Sequence, residues 1–136
     1  DIIDKYCDAI LNAANINSVK PLKIAIDCGN GMSGYYLPKM FEKLGSAPIK
    51  LYWRLDGSFP NHEANPLKEE TLLKLRETVV DNDCDLGIAY DGDSDRVGFV
   101  DEKGASLIFH AAYNQDMELV DMLLCAGAKP AYVRLS

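Results

Sequence analysis

The sequence predicts an α/β fold: three layers, α/β/α, around a mixed, mostly parallel sheet of about four to five strands. Three observations predict it. Short apolar runs alternate along the chain with segments of helical periodicity, the pattern of parallel strands joined by crossover helices. The runs Asp85–Tyr90 and Val97–Asp101 are separated only by Asp91–Arg96, too few residues for a crossover, so that pair is antiparallel. The chain has 136 residues and is 48% hydrophobic, enough for about one domain with a real core.

Each element has its own signal. Residues 1–14 place Ile3, Tyr6, Cys7, Ile10 and Leu11 at helical spacing. Asn15–Pro21 is a connector, and Leu22–Cys28 is a short buried strand. Gly29-Asn30-Gly31 turns the chain, since glycine tolerates positive φ. Ser33 is a candidate cap for a helix running to Leu44, with Gly45 as its stop and Pro38 shifting its true start later. Ile49–Arg54 is the second strand. Leu55–Pro66 is a loop rich in Asp, Gly, Pro and Asn. Leu67–Asp81 is a helix with Leu72, Leu75 and Val79 on one face. Glu102-Lys103-Gly104 is a turn, His110–Ala126 a further helix stopped by Gly127, and Ala131–Leu135 a last strand. Residues 109–130 also resemble part of an ankyrin repeat, but a single repeat cannot bury its own face.

Composition narrows the function classes. The net charge of −7 and pI near 4.7 exclude a basic stripe that tracks phosphates, so no nucleic-acid partner is expected. No apolar run is long enough to span a bilayer, and no secretory signal is visible. The start at Asp1 suggests an excised or processed piece. Cys7, Cys28, Cys84 and Cys125 form no CxxC pair, which favours reduced, structural thiols and a cytoplasmic setting.

The chemistry concentrates in Asp91-Gly92-Asp93-Ser94-Asp95-Arg96. Three carboxylates at alternate positions repel one another unless a cation sits among them, and hard divalent ions prefer such oxygens. Arg96, directly after them, points to an anion at the same place, with a phosphate as the expected one. The bland alternative is a solvated acidic turn, an expensive arrangement between two buried strands. An EF-hand loop would need Gly where Arg96 stands, and helices where strands are read. An aspartyl nucleophile beside an acid leaves the third Asp and the Arg unexplained.

Asp85–Gly104 closely resembles the metal-binding loop of the α-D-phosphohexomutases, the phosphomannomutases and phosphoglucomutases among them. Lys23–Gly45 resembles the opening strand, turn and helix of that family's second domain, and Asp56–Glu77 its proline- and asparagine-rich loop and helix. The resemblance implies that Asp91, Asp93 and Asp95 hold one Mg²⁺ and that Arg96 contacts a phosphate. It implies a reaction that interconverts hexose 1-phosphate and hexose 6-phosphate through an enzyme phosphoserine and a bisphosphate intermediate. Residues 1–105 then correspond to the metal-binding second domain, and residues 106–136 to a helix-strand tail like the truncated start of a third. The phosphoserine loop, the sugar-gripping domains and the acid/base groups lie outside this chain, so no catalytic residue is assigned and the isolated chain is expected to be inactive. Expected partners are the other domains of the same polypeptide and, through them, a phosphosugar, with no nucleic acid and no membrane. The rival readings are a non-catalytic metal- or phosphate-binding module and a partner-binding domain using the ankyrin-like helix. Ser94 stands where that family often has glycine, and a small residue there is expected to be harmless.

Other residues read as structural: Gly29–Gly31 as a turn, His62 as a loop histidine bonded to backbone, and His110 as a helix-start residue. Tyr52 and Trp53 read as strand packing, despite their resemblance with Phe59 to a sugar platform, and Tyr35 and Tyr36 as flanking a helix start.

Overall fold

A computed structural model describes residues 1–14, 21–106 and 118. The expected helix over 110–126 (Glu118 apart), the strand over 131–135, the ankyrin-like segment, His110 and Cys125 lie outside the described residues. Those described form α1 (Ile2–Ala13), β1 (Ile24–Asp27), α2 (Ser33–Leu44), β2 (Ile49–Leu51), a 3₁₀ turn (Glu69–Leu72), α3 (Leu73–Asp81), β3 (Leu86–Tyr90) and β4 (Val97–Asp101). The strand order is β2-β1-β3-β4. β1 is parallel to both β2 and β3, while β4 returns antiparallel to β3. The mixed sheet expected from the short Asp91–Arg96 link is therefore present, with four strands among the described residues.

The period of two along β1 and β3 divides the core. Ala25 and Ala89 join Leu72, Leu75, Val79, Cys84 and Val100 on the α3 side. Ile26 and Ile88 join Cys28, Leu37, Phe41 and Trp53 on the α2 side. Leu75 and Val79 are fully buried, each worth about 2 kcal/mol of transfer free energy. On the other flank, α1 lies against α2. Cys7 Sγ reaches the Tyr36 carbonyl at 3.8 Å, and Lys39 and Lys43 pair with Asp4 and Asp8. Gly34 seats α2 on the chain beyond β2, because a Cβ there would run into the Trp53 carbonyl. Cys7, Cys28 and Cys84 are buried and free.

The structure corrects several sequence expectations. β1 begins at Ile24, and β2 stops at Leu51 rather than Arg54. Tyr52 takes φ 53° and leaves the ladder, so neither Tyr52 nor Trp53 is a strand residue. Trp53 turns in, its Nε1 donating to the Ile26 carbonyl at 2.9 Å. The helix expected from Leu67 opens as a 3₁₀ turn at Glu69. Its local competitor is Thr71, whose hydroxyl donates to the Asn65 and Lys68 carbonyls at 2.6 and 2.7 Å. Glu69 is buried there, paired with Arg76 and accepting from Ser106 Oγ at 2.6 Å. Ser33 does not cap α2: it lies inside the first turn, its hydroxyl buried without a partner at hydrogen-bonding geometry. Pro38 is accommodated inside α2 and does not delay its start.

Candidate metal centre

The site grows from the carboxyl ends of β1 and β3, where open α/β sheets place ligands. After β1, Gly29 and Asn30 adopt φ 51° and 62°, and Gly31 N–H closes the turn on the Cys28 carbonyl at 2.7 Å. Gly31 has no room for a side chain, since a Cβ would lie 2.8 Å from the Gly92 carbonyl oxygen. Met32 N–H then donates to that same oxygen at 2.9 Å. The turn leading into α2 is thus strapped, main chain to main chain, onto the acidic loop. From the other direction, a Cβ on Gly92 would come within 3.3 Å of Phe59 Cζ.

Asp91 leads out of β3 with no exposed surface. Its Oδ1 accepts Arg96 N–H at 3.2 Å and its Oδ2 accepts Arg96 Nε at 2.7 Å, while Asp91 N–H donates to the Arg96 carbonyl at 3.2 Å. Arg96 thereby closes the loop on itself. Its Nε also lies 3.5 Å from Asp95 Oδ1. Asp93 and Asp95 are exposed, yet one oxygen from each of Asp91, Asp93 and Asp95 lies within 4.8 Å of the others. The structure therefore brings all four sequence-predicted site residues together. Ser94 makes the bend possible at φ 68°, and its hydroxyl is buried near the Tyr36 phenol without a partner at hydrogen-bonding geometry. Ser94 is thus not a neutral replacement for glycine. It carries left-handed strain and a buried hydroxyl, two costs that size alone does not reveal.

The charges are unevenly answered. Burial pushes the Asp91 carboxyl up, but the Arg96 N–H and guanidinium outweigh it and leave the group below its ordinary value. Asp95 is pushed up, first by sharing a hydrogen bond with Asp91 and then by the charge on Asp93. Among the described residues, one guanidinium stands against three carboxylates. The donor set is all oxygen, as hard divalent ions require. One oxygen from each of the three carboxylates lies within 4.8 Å of the others, close enough for all three to face one hard divalent ion. Softer chemistry finds no support among the described thiols: burial pushes Cys28 up to about 12, where it is inert.

Sequence reasoning missed two residues that organise this edge. Asn30 is a four-way junction. Its N–H donates to the Tyr52 carbonyl at 2.8 Å, its carbonyl accepts Asp56 N–H at 3.0 Å, its Nδ2 donates to the Arg54 carbonyl at 2.8 Å, and its Oδ1 accepts Asn61 Nδ2 at 2.7 Å. Asp27 is buried, with Oδ1 on Gly29 N–H at 2.7 Å and Oδ2 on His62 Nε2 at 2.8 Å. His62 does meet backbone, at the Glu63 carbonyl, as the sequence suggested. Its carboxylate partner, 35 residues away, left no local signal. The left-handed turn at Asn30 was legible, because Gly-Asn-Gly favours positive φ.

Known proteins place this architecture. The family described as phosphoglucomutase/phosphomannomutase, alpha/beta/alpha domain II, matches residues 4–104. A phosphomannomutase/phosphoglucomutase of Pseudomonas aeruginosa is 44% identical over 104 residues, covering 76% of this chain and 22% of that protein. A phosphoglucomutase of Neisseria gonorrhoeae is 38% identical over 104 residues, covering 76% of this chain and 22% of its own length. The crystal structure of a phosphoglucomutase/phosphomannomutase family protein from Burkholderia thailandensis superposes with a TM-score of 0.72 at 30% identity, over 89% of this chain and 27% of that one. The chain thus spans about a fifth of the length of these curated relatives. Among the described residues, no helix is long and apolar enough to cross a membrane. The acidic loop, the turn strapped to it and the sheet that presents both fall within the matched residues, and the chain belongs to the phosphoglucomutase/phosphomannomutase family as its alpha/beta/alpha domain II.

Proposed function

We propose that this chain is the Mg²⁺-binding domain of a phosphohexomutase, which interconverts hexose 1-phosphate and hexose 6-phosphate as part of a longer polypeptide. The observation that carries the reading is the convergence of Asp91, Asp93 and Asp95 within 4.8 Å at the end of β3, with Arg96 beside them. In this reading the three carboxylates hold the ion and offset its charge. When bound, the ion supplies Lewis-acid stabilisation of a transferring phosphoryl group. The chain's own contribution is positioning and electrostatics, which dominate phosphoryl transfer. Both Arg96 contacts run through Nε, and the guanidinium has four further N–H donors on its terminal nitrogens with which to meet a phosphate. Asp91 keeps that guanidinium aimed beside the ion. The phosphoserine, the hexose and the acid/base groups belong to other domains of the same polypeptide, so the isolated chain turns over nothing. Buried free thiols at Cys7, Cys28 and Cys84 suit a reducing, cytoplasmic setting.

Calorimetric titration of the chain with Mg²⁺ tests the site. Wild type binds one equivalent, and Asp93→Asn weakens binding at least tenfold while retaining the fold. Equal heats from the two proteins, or conversion of glucose 1-phosphate by the isolated chain, would overturn the reading.

A further inference from the structure

We infer that His62 is held as an imidazolium between Asp27 and the Glu63 carbonyl, and that it is a positioning residue for the acidic loop, acting through the 56–66 segment. Nε2 is 2.8 Å from Asp27 Oδ2 and Nδ1 is 2.8 Å from the Glu63 carbonyl oxygen. A carbonyl and an ionised carboxylate only accept, and a neutral imidazole carries one N–H. Only the doubly protonated ring satisfies both acceptors. Asp27 is 1% exposed, and its other oxygen already accepts Gly29 N–H at 2.7 Å, so Oδ2 is the oxygen left to face the ring. The pair is therefore a buried charge matched by a cation, an arrangement that is costly to break from one side.

Two side chains flank the ring. The Tyr52 ring stands edge-on at 5.3 Å. The Glu63 side chain is engaged with Lys68. Gly29 approaches so closely that a Cβ would meet Ala64 Cβ at 3.0 Å and His62 Cε1 at 3.5 Å. The Asp27 hydrogen bond raises the His62 pKa, and burial opposes it less strongly. A histidine raised in this way contributes stability fully below its unfolded value of 6.5 and loses it as pH rises through the higher folded value.

The pin acts at a distance through the loop it anchors. Asn61 ties that loop to Asn30 at 2.7 Å, Asp56 N–H ties it to the Asn30 carbonyl at 3.0 Å, and Phe59 rests against Gly92 between Asp91 and Asp93. Deprotonating His62 turns its Nδ1 lone pair toward the Glu63 carbonyl and loosens the backing of the acidic loop.

Nitrogen-detected NMR of the full chain across pH 5–9 tests the protonation directly, with His62→Gln assigning the resonance. Both His62 ring nitrogens carry protons at neutral pH, and the midpoint lies above 6.5. A single Nδ1–H tautomer at pH 7, with the proton on Asp27 instead, would overturn the inference, as would a midpoint at or below 6.5. The positioning role rests on the Mg²⁺ reading above and is tested by titrating Mg²⁺ at several pH values. Wild-type affinity falls at least threefold through the His62 midpoint, and His62→Gln removes that step. The same step in His62→Gln overturns the positioning role. Absence of any Mg²⁺ binding overturns the metal reading and this role with it, while the ring titration still decides the imidazolium.

Discussion

Asp27 and Asp91 invite comparison. Each lies at the carboxyl end of one of two paired parallel strands, on the α3 side by the period of two, and each is almost wholly buried, at 1% and 0% exposure. Each has both oxygens occupied, by Gly29 and His62 in one case and by Arg96 in the other. They differ in what stands next to them. Asp27 meets one cationic side chain, and its charge is matched. Asp91 has two further carboxylates within 4.8 Å and, among the described residues, one guanidinium paired with it. Burial is common to both acids; what sets the acidic loop apart is its surplus negative charge. The first carboxylate holds the scaffold together, and the second sits in a surplus of negative charge.

Breaking the matched pair produces the largest effect. Asp27→Ala strands the ring it holds and destabilises the fold by about 3 kcal/mol, read as a fall in Tm of more than about 10 °C for a domain of this size, with or without Mg²⁺. Arg96→Ala leaves Asp91 buried without its cation and costs about 2 kcal/mol. Because a metal ion can replace the lost charge, excess Mg²⁺ recovers most of that loss. Recovery in Arg96→Ala and none in Asp27→Ala is the signature of the contrast, and equal responses to Mg²⁺ would erase it. The smallest effect sharpens the geometry: Ser94→Gly relieves the left-handed strain and removes the buried hydroxyl, raising stability by about 1 kcal/mol in chemical denaturation.

Periodic features were legible in the sequence. Leu72, Leu75 and Val79 repeat with the helix, the β1 and β3 runs carry enough apolar residues to be strands, and the short link before Val97 forces the antiparallel return. The acidic loop was legible because its four charged residues are nearly adjacent, so their convergence needs only local chain reversal. What was not legible depends on pairs distant in sequence or on backbone angles. Nothing near Asp27 announces His62, and nothing in Leu51-Tyr52-Trp53 announces that Tyr52 turns to positive φ. The start of α3 was misplaced because Thr71 and the buried Glu69 divert the first turn into local hydrogen bonds that helical periodicity does not register. Arg96 was expected to contact a phosphate; its bonds to Asp91 show that it serves the loop.

The main-chain strap between Met32 and Gly92 has a mechanical consequence. Because Gly31 and Gly92 touch without side chains between them, nothing compressible separates the amino end of α2 from the carboxylates. A tilt of that helix, driven by whatever leans on its outer surface or on α1, is delivered to the carboxylate oxygens as displacement rather than absorbed as repacking. The helix is a lever whose short arm ends at the acidic loop.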